Sequence, residues 1–189
     1  MTPLQVIQDP PANGPVNMQR DLDLLENLED QLIIRHYQWE PNWISYGYFQ
    51  TEENAKAQFK TTALNFVKRP TGGGLVDHRH DLTYTLFIPK AHPWAKLSRL
   101  DCYLCLHKIV HQALIHDGMN AQLIAKETGN GPICFQHPVP GDIVNPITGK
   151  KLAGAAQRRT RHGLLHQGSI IAPNLQPTTL LKVFKDAAL

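Results

Sequence analysis

Cysteine is scarce in this sequence, with three residues among 189, and no apolar run approaches the roughly 20 residues that cross a bilayer. The N-terminus has no basic segment followed by an apolar stretch, so a secretory signal is not expected. These absences argue against a disulfide framework and a membrane protein, and they predict a cytoplasmic protein. The composition is 42% hydrophobic and 19% charged, and we expect one globular domain over residues 1–189.

The chain also lacks a strong excess of either charge, with a formal net charge of +3. This surplus is too small to indicate nucleic-acid binding. The basic residues are nevertheless clustered, because residues 150–161 contain no acid and five cations, namely Lys150, Lys151, Arg158, Arg159 and Arg161. Such a block is typical of a surface that binds phosphates or an acidic protein, and equally of a solvated strand and turn.

Apolar periodicity and turn residues predict an α/β domain with a large, mostly antiparallel sheet. Residues 8–15 are predicted to form a loop, and Asn17 to cap the helix that follows. A long helix is predicted over residues 98–117, with Leu100, Leu104, His107 and His111 on one face and Gly118 as its stop. Shorter helices are predicted over 51–62 and from Thr178. The predicted strands are 32–39, 43–48, 65–69, 75–78, 83–88, 121–125, 133–136, 141–145, 150–158 and 163–171, with a hairpin turn at 145–149.

Two segments have the composition of a ligand site. Between two predicted strands, Gly72, Gly73 and Gly74 would let backbone N–H groups approach a ligand, with the Thr71 hydroxyl and the Arg69 guanidinium beside them. This segment is neither a Walker loop nor a Rossmann fingerprint, and a flexible turn is the alternative. In the second segment, small residues follow Lys151 and leave room for a thin apolar ligand. A lysine there would stabilise a carbonyl oxygen or a phosphate, whereas the alternative is a solvated hairpin.

Cys134, flanked by Ile133 and Phe135, is a candidate acyl nucleophile if a nearby cation lowers the pKa of its thiol. The alternative is that it is a buried core residue. Three residue pairs have metal-like spacing but lack further ligands, so no metal site is predicted. These pairs are Cys102 with Cys105, His107 with His111, and His78 with His80.

Together, five segments resemble motifs of the lipoate–protein ligase and octanoyltransferase family, which is related to biotin–protein ligase. The resemblance runs over nearly the whole chain. The segments are residues 17–26 (the opening helix), 43–50 (a Gly-x-x-Gln strand end), 69–78 (the glycine loop), 81–85 (the following strand), and 151–158 with 166–169, the last pair being the most specific.

The resemblance implies a single domain on a curved, mostly antiparallel mixed sheet, with the acyl chain in a tunnel beside the glycine loop. The small residues after Lys151 further predict that this sheet carries both the glycine loop and Lys151 and borders one apolar tunnel. The resemblance also implies that Lys151 contacts the acyl carbonyl or an acyl-adenylate phosphate. Lys150 is its neighbour on a predicted strand and is therefore expected to point the other way. The implied substrate-binding residues are Arg69, Thr71, Gly72, Gly73, Gly74, His78, Gly154, Ala155, His166 and Ser169. The implied partner is a lipoyl carrier domain, in a dehydrogenase-complex acyltransferase subunit or a glycine cleavage H protein.

Members of the family use one of two chemistries. Transferases take octanoyl or lipoyl groups from a thioester through a cysteine and need no cofactor, and Cys134 matches the nucleophile position of one such group. Ligases activate free lipoate or octanoate with ATP and Mg²⁺. The absence of a C-terminal accessory domain favours the transferase, with octanoyl-carrier protein as a donor, whereas Gly74 is more common among ligases. A third alternative is an inactive relative that only binds a lipoyl domain.

Overall fold

A computed structural model describes residues 4–61, 63–124 and 139–188 of the chain. The helices are α1 Gly14–Glu26, α2 Glu52–Lys56, α3 Pro93–Lys96, α4 Arg99–His116 and α5 Pro177–Ala187. The strands are β1 Leu4–Ala12, β2 Leu32–Trp39, β3 Trp43–Tyr46, β4 Asn65–Lys68, β5 Val76–Asp77, β6 Leu82–Pro89, β7 Gln122–Leu123, β8 Ile143–Val144, β9 Lys151–Arg159 and β10 Gly163–Ile170. In these residues no helix is long and apolar enough to cross a membrane.

Two sheets organise the described part of the chain. Seven strands pair in the order β1-β2-β6-β10-β9-β8-β7, and every pair is antiparallel except β1 with β2. Strands β4, β3 and β5 form a smaller mixed sheet. The predicted α/β class with a mostly antiparallel sheet is confirmed. The expectation that one sheet carries both the glycine loop and Lys151 is wrong, because the loop leaves β4 of the small sheet and Lys151 begins β9 of the large sheet.

Helices cover both faces of the large sheet, because successive strand residues point to opposite sides. Leu86 and Ile88 join the larger core cluster, which includes Leu106 of α4 and Phe184 of α5. Phe87, between them in sequence, joins the smaller cluster with Leu25 of α1. The α4 prediction is confirmed: the helix starts after Ser98, whose hydroxyl accepts from Asp101 N at 3.1 Å. Its predicted apolar face is partly wrong, since Leu100 is 49% exposed.

The N-terminal segment differs from the prediction. Residues 8–15 are not a loop, because β1 runs to Ala12 and pairs in parallel with β2. Pro10 and Pro11 are tolerated there, since β1 is an edge strand that need not donate every N–H to a neighbour. The cap of α1 is Asn13, whose side chain accepts from Val16 N, and not Asn17. Asn17 is instead buried within the helix and donates to Ala12 O and Gln38 O.

Several helices and strands are shorter in the structure than the sequence predicts. The helix predicted over 51–62 is limited to Glu52–Lys56, and the strand predicted over 43–48 ends at Tyr46. The strands predicted over 121–125 and 141–145 are each two residues long, Gln122–Leu123 and Ile143–Val144. The strand predicted over 133–136 lies outside the described residues.

Candidate active site

A cavity of about 440 Å³ lies where the two sheets meet. One wall is the glycine loop, Gly72–Gly74, and the opposite wall is β9 from Lys151 to Gln157 with the end of β10. The cavity therefore brings together the two segments that the sequence singled out. Of the predicted site residues, the cavity is lined by Arg69, Gly72, Gly73, Gly74, His78, Lys151, Gly154, Ala155 and Ser169.

Arg69 shapes the glycine loop from within. Its Nη2 donates to Gly72 O and Gly74 O, both at 2.8 Å, and its Nη1 donates to Ser45 O at 3.1 Å and to Ser45 Oγ at 3.0 Å. Burial lowers the pKa of Arg69 to about 10. The sequence suggested a guanidinium fork for a ligand anion. In the structure those donors bind loop and strand oxygens, so the contribution of Arg69 is to hold the loop in place.

Thr71 anchors the same loop to the large sheet. Its hydroxyl donates to Gln167 Oε1 at 2.7 Å, and Gln167 Nε2 donates to Asp21 Oδ2 at 2.7 Å. Asp21 is fully buried on α1 and is paired with Arg35 at 2.6 Å. Thr71 is itself buried and does not line the cavity. A continuous buried relay therefore ties the loop, β10, α1 and β2 together.

His78 is fixed in a polar cluster at the cavity wall. Its Nε2 lies 2.7 Å from Ser45 Oγ, and its Nδ1 lies 2.9 Å from Asp81 Oδ2. The ring stacks on Trp39 with 3.8 Å between centroids. Asp81 Oδ2 also accepts from Ser169 Oγ at 2.6 Å. Because Arg69 also donates to Ser45, this cluster forms a second set of contacts between the glycine loop and β10.

Lys151 enters the cavity from the start of β9, where its Nζ lies 2.8 Å from Asp142 Oδ2. The Asp142 carboxylate is fully buried and accepts from Val139 N and from the Tyr103 hydroxyl, both at 3.0 Å. The Tyr103 hydroxyl accepts in turn from Ala155 N at 2.8 Å. Helix α4 thus positions the carboxylate that holds the lysine ammonium at the cavity.

Small residues of β9 make room for this lysine. A Cβ at position 154 would overlap Cε and Nζ of Lys151, so only glycine lets the side chain lie over the strand in this way. Ala155 and Ala156 continue the narrow apolar lining. Lys150, by contrast, is exposed and does not line the cavity. This arrangement suits a thin apolar ligand whose polar end reaches Lys151.

His166 does not line the cavity, although its neighbours Gln157 and Tyr103 do. It is fully buried on β10, where its Nε2 is 3.1 Å from the Tyr84 hydroxyl and its Nδ1 is 3.1 Å from Gln157 Nε2. Burial, reinforced by neighbouring His107, lowers the pKa of His166 well below its usual value. Burial also lowers the pKa of His107 to about 4. Both imidazoles are therefore neutral core groups at physiological pH.

The three cysteines fall into two groups. Cys134 lies outside the described residues. Cys102 and Cys105 are on α4, and burial raises the pKa of both thiols, which makes them poor nucleophiles. Among residues 4–61, 63–124 and 139–188, no group of three or more His, Cys, Asp or Glu side chains is placed to hold a metal ion.

Sequence reasoning missed three residues that complete the site, namely Tyr103, Gln167 and Asp142. Tyr103 lies within a long predicted helix, and the helical pattern predicts no contact between this residue and β9. Gln167 does occur in the His-Gln-Gly-Ser segment that the resemblance picked out, so its alternation with His166 on a strand was an available signal. Asp142 stands directly before an apolar pair of residues, a position typical of a strand end that faces a site.

Comparisons with known proteins found a matching family model and curated relatives. The description "lipoyl protein ligase A/B catalytic domain" belongs to the family whose model matches residues 13–186. A curated protein named octanoyltransferase LipM, from Lysinibacillus sphaericus, is 35% identical over 185 residues. That match takes in 89% of this chain but 65% of the relative, so the chain spans less than two thirds of the relative's length.

Two solved structures have a similar fold. A T. acidophilum protein with bound lipoic acid superposes with a TM-score of 0.77 at 18% identity, over 99% of this chain and 85% of that one. A lipoate-protein ligase A bound with ATP superposes with a TM-score of 0.68 at 19% identity, over 100% of this chain and 78% of that one. At such identities the likeness establishes the fold alone.

Proposed function

Because this chain belongs to the lipoyl protein ligase A/B catalytic-domain family, we propose that it is an acyltransferase that places an octanoyl or lipoyl group on a lysine of a lipoyl carrier domain. The observation that carries the proposal is the cavity in which Lys151, held by Asp142, faces the glycine loop across an apolar space. The name of the 35% identical relative, an octanoyltransferase, supports transfer over ligation.

The first half-reaction loads the enzyme. The Cys134 thiolate attacks the carbonyl carbon of a donor thioester, a new C–S bond forms, and the donor C–S bond breaks as the tetrahedral intermediate collapses. The released donor thiolate then takes up a proton. The Lys151 ammonium stabilises the oxyanion of the intermediate, and the apolar walls at Ala155 and Ala156 hold the acyl chain.

The second half-reaction transfers the acyl group. The neutral amine of the carrier lysine attacks the Cys134 thioester, a C–N bond forms, and the C–S bond to Cys134 breaks. The proton lost by the amine neutralises the departing thiolate. No ATP is consumed, because the donor is already a thioester. Octanoyl-carrier protein is the proposed donor, and a dehydrogenase-complex acyltransferase subunit or a glycine cleavage H protein supplies the acceptor domain.

ATP-dependent lipoate ligation is the second candidate, favoured by the glycine at position 74, which is more common among the ligases of the family. It requires Mg²⁺, which in nucleotide sites is held by one or two carboxylates together with substrate phosphates and waters. Among the described residues Asp142 is the carboxylate that lines the cavity, and its oxygens already accept from Lys151, Tyr103 and Val139. In that candidate Asp142 would be the carboxylate available to Mg²⁺, with ATP phosphates and waters as the other ligands. We place the reaction in the cytoplasm, where free thiols persist.

Two parallel incubations separate the candidates. In the first, the protein is mixed with octanoyl-carrier protein and an apo lipoyl domain without ATP. In the second, it is mixed with octanoate, ATP, Mg²⁺ and the same domain. We expect the mass of the domain to increase by one octanoyl group in the first incubation. Product in the second alone would establish the ligase, and binding of the domain without product in either would indicate an inactive relative.

A further inference from the structure

An exposed aromatic pair lies next to the glycine loop. Phe49 is 89% exposed and Tyr48 is 49% exposed, and their rings meet edge to face with 5.3 Å between centroids. A Cβ at position 72 would lie 3.9 Å from the Phe49 ring, so the ring stands directly beside the loop that lines the cavity. A large apolar side chain that is this exposed at the edge of a cavity is typical of a binding surface.

Two cations flank the aromatic pair. Lys68 Nζ lies 5.2 Å and Arg158 Cζ 5.6 Å from the centroid of the Tyr48 ring, and both residues are exposed. They come from different sheets, since Lys68 ends β4 and Arg158 is near the end of β9. We call Tyr48, Phe49, Lys68 and Arg158 the aromatic–basic patch.

The basic residues within 150–161 have different partners in the structure. Lys151 is paired with Asp142 in the cavity, and Arg159 donates to the carbonyls of Ala95 and Leu97. Arg158 instead joins the patch. The acidic residues nearest in sequence to Tyr48 and Phe49 are Glu52 and Glu53 on α2, where Glu52 is paired with Lys56.

We propose that the aromatic–basic patch docks the carrier domain that presents the acceptor lysine, through an acidic face with an apolar contact for Phe49. The proposal rests on the function proposed above and names the partner surface it requires. The acceptor lysine has to reach the acyl carbonyl that Lys151 stabilises, and the glycine loop that lines this cavity also lies beside Phe49 of the patch. Cations around an exposed aromatic centre match an acidic partner and give both a hydrophobic anchor and electrostatic steering.

The test is a binding measurement that needs no chemistry. The dissociation constant of a fluorescently labelled apo lipoyl domain is measured for the unmodified protein, for Phe49→Ala and for Lys68→Glu. The matched controls are Ile115→Ala, which removes an apolar side chain that is 50% exposed at the end of α4, and Lys182→Glu on the exposed side of α5. Circular dichroism melts check that every variant is folded.

We expect Phe49→Ala to weaken binding about tenfold and Lys68→Glu about fivefold, with neither control changing it by more than about twofold. Lys68→Glu should also reduce the dependence of binding on salt. Equal dissociation constants for the unmodified protein and both patch variants would overturn the proposal, as would equal weakening by the controls. A concentration-dependent dimer that Phe49→Ala dissociates, with unchanged domain binding, would assign the patch to a second copy of the chain. Because acyl transfer is not part of this measurement, failure of the proposed function is detected separately.

Discussion

Asp142 Oδ2 lies 2.8 Å from Lys151 Nζ, and the carboxylate is fully buried while the lysine side chain is 23% exposed. Both residues line the cavity. Tyr103 and the backbone of Val139 hold the carboxylate, and Gly154 leaves space for the lysine above β9. The position of the ammonium is therefore set by α4, by the segment before β8 and by β9 together.

Replacing Lys151 by alanine should slow acyl transfer about a hundredfold in a protein that still folds. An electrostatic contact to a developing oxyanion is worth about 3 kcal/mol, or about a hundredfold in rate. The matched control is Lys150→Ala, which removes an exposed lysine outside the cavity. Steady-state rates with octanoyl-carrier protein, together with thermal melts, check this. Equal losses in the two variants would show that the functional lysine has been misassigned.

Tyr103→Phe should slow transfer about tenfold and cost about 1–3 kcal/mol of unfolding free energy, because it leaves Ala155 N and one carboxylate oxygen without their partner. The slower rate follows if Asp142 no longer holds Lys151 in place, and it should appear in kcat more than in KM. Tyr46→Phe, on β3, is the control. Unchanged kcat in Tyr103→Phe would mean that the hydroxyl serves packing alone.

The sequence predicts many residues of this site, but it does not predict the contacts between residues that are distant along the chain. The glycine loop and Lys151 have local signatures, namely three successive glycines and a run of small residues after a lysine, and both do line the cavity. The contact from Tyr103 to Asp142 spans 39 positions, and periodicity carries no information at that range. His166 has the sequence signature of a site residue, yet it points into the core, because the register of β10 decides which side chains face the cavity.

The Asp21–Gln167–Thr71 relay predicts energetic coupling between distant parts of the sequence. Gln167→Met and Thr71→Val should each lower the free energy of unfolding by about 1–3 kcal/mol, since each leaves a buried partner unpaired. The double variant should lose less than the sum, because the shared hydrogen bond can be lost only once. Urea unfolding of the four proteins measures this. Strict additivity would show that the two side chains do not act together.

The buried histidines predict loss of stability in acid. Burial lowers the pKa of His107 to about 4, so between its ordinary value near 6.5 and that value only the unfolded chain binds the proton. The free energy of unfolding is therefore unaffected by His107 above pH 6.5 and decreases as the pH falls below that value. The decrease reaches on the order of 3 kcal/mol near pH 4. His166 acts in the same direction. Urea midpoints from pH 7 to 4.5 should fall, and His107→Gln should flatten that slope. An equal slope in the variant would contradict this account.

The central claim is that the chain carries the acyl group on Cys134, and intact-protein mass spectrometry tests it most directly. The protein is mixed with octanoyl-carrier protein without ATP or acceptor, and the adduct is then located by peptide mapping. We predict one octanoyl group on Cys134, lost in Cys134→Ser and kept in Cys102→Ser and Cys105→Ser, whose thiols have raised pKa values. Full activity of Cys134→Ser with ATP and free lipoate, and no adduct on the unmodified protein, would contradict the account and establish an adenylating ligase.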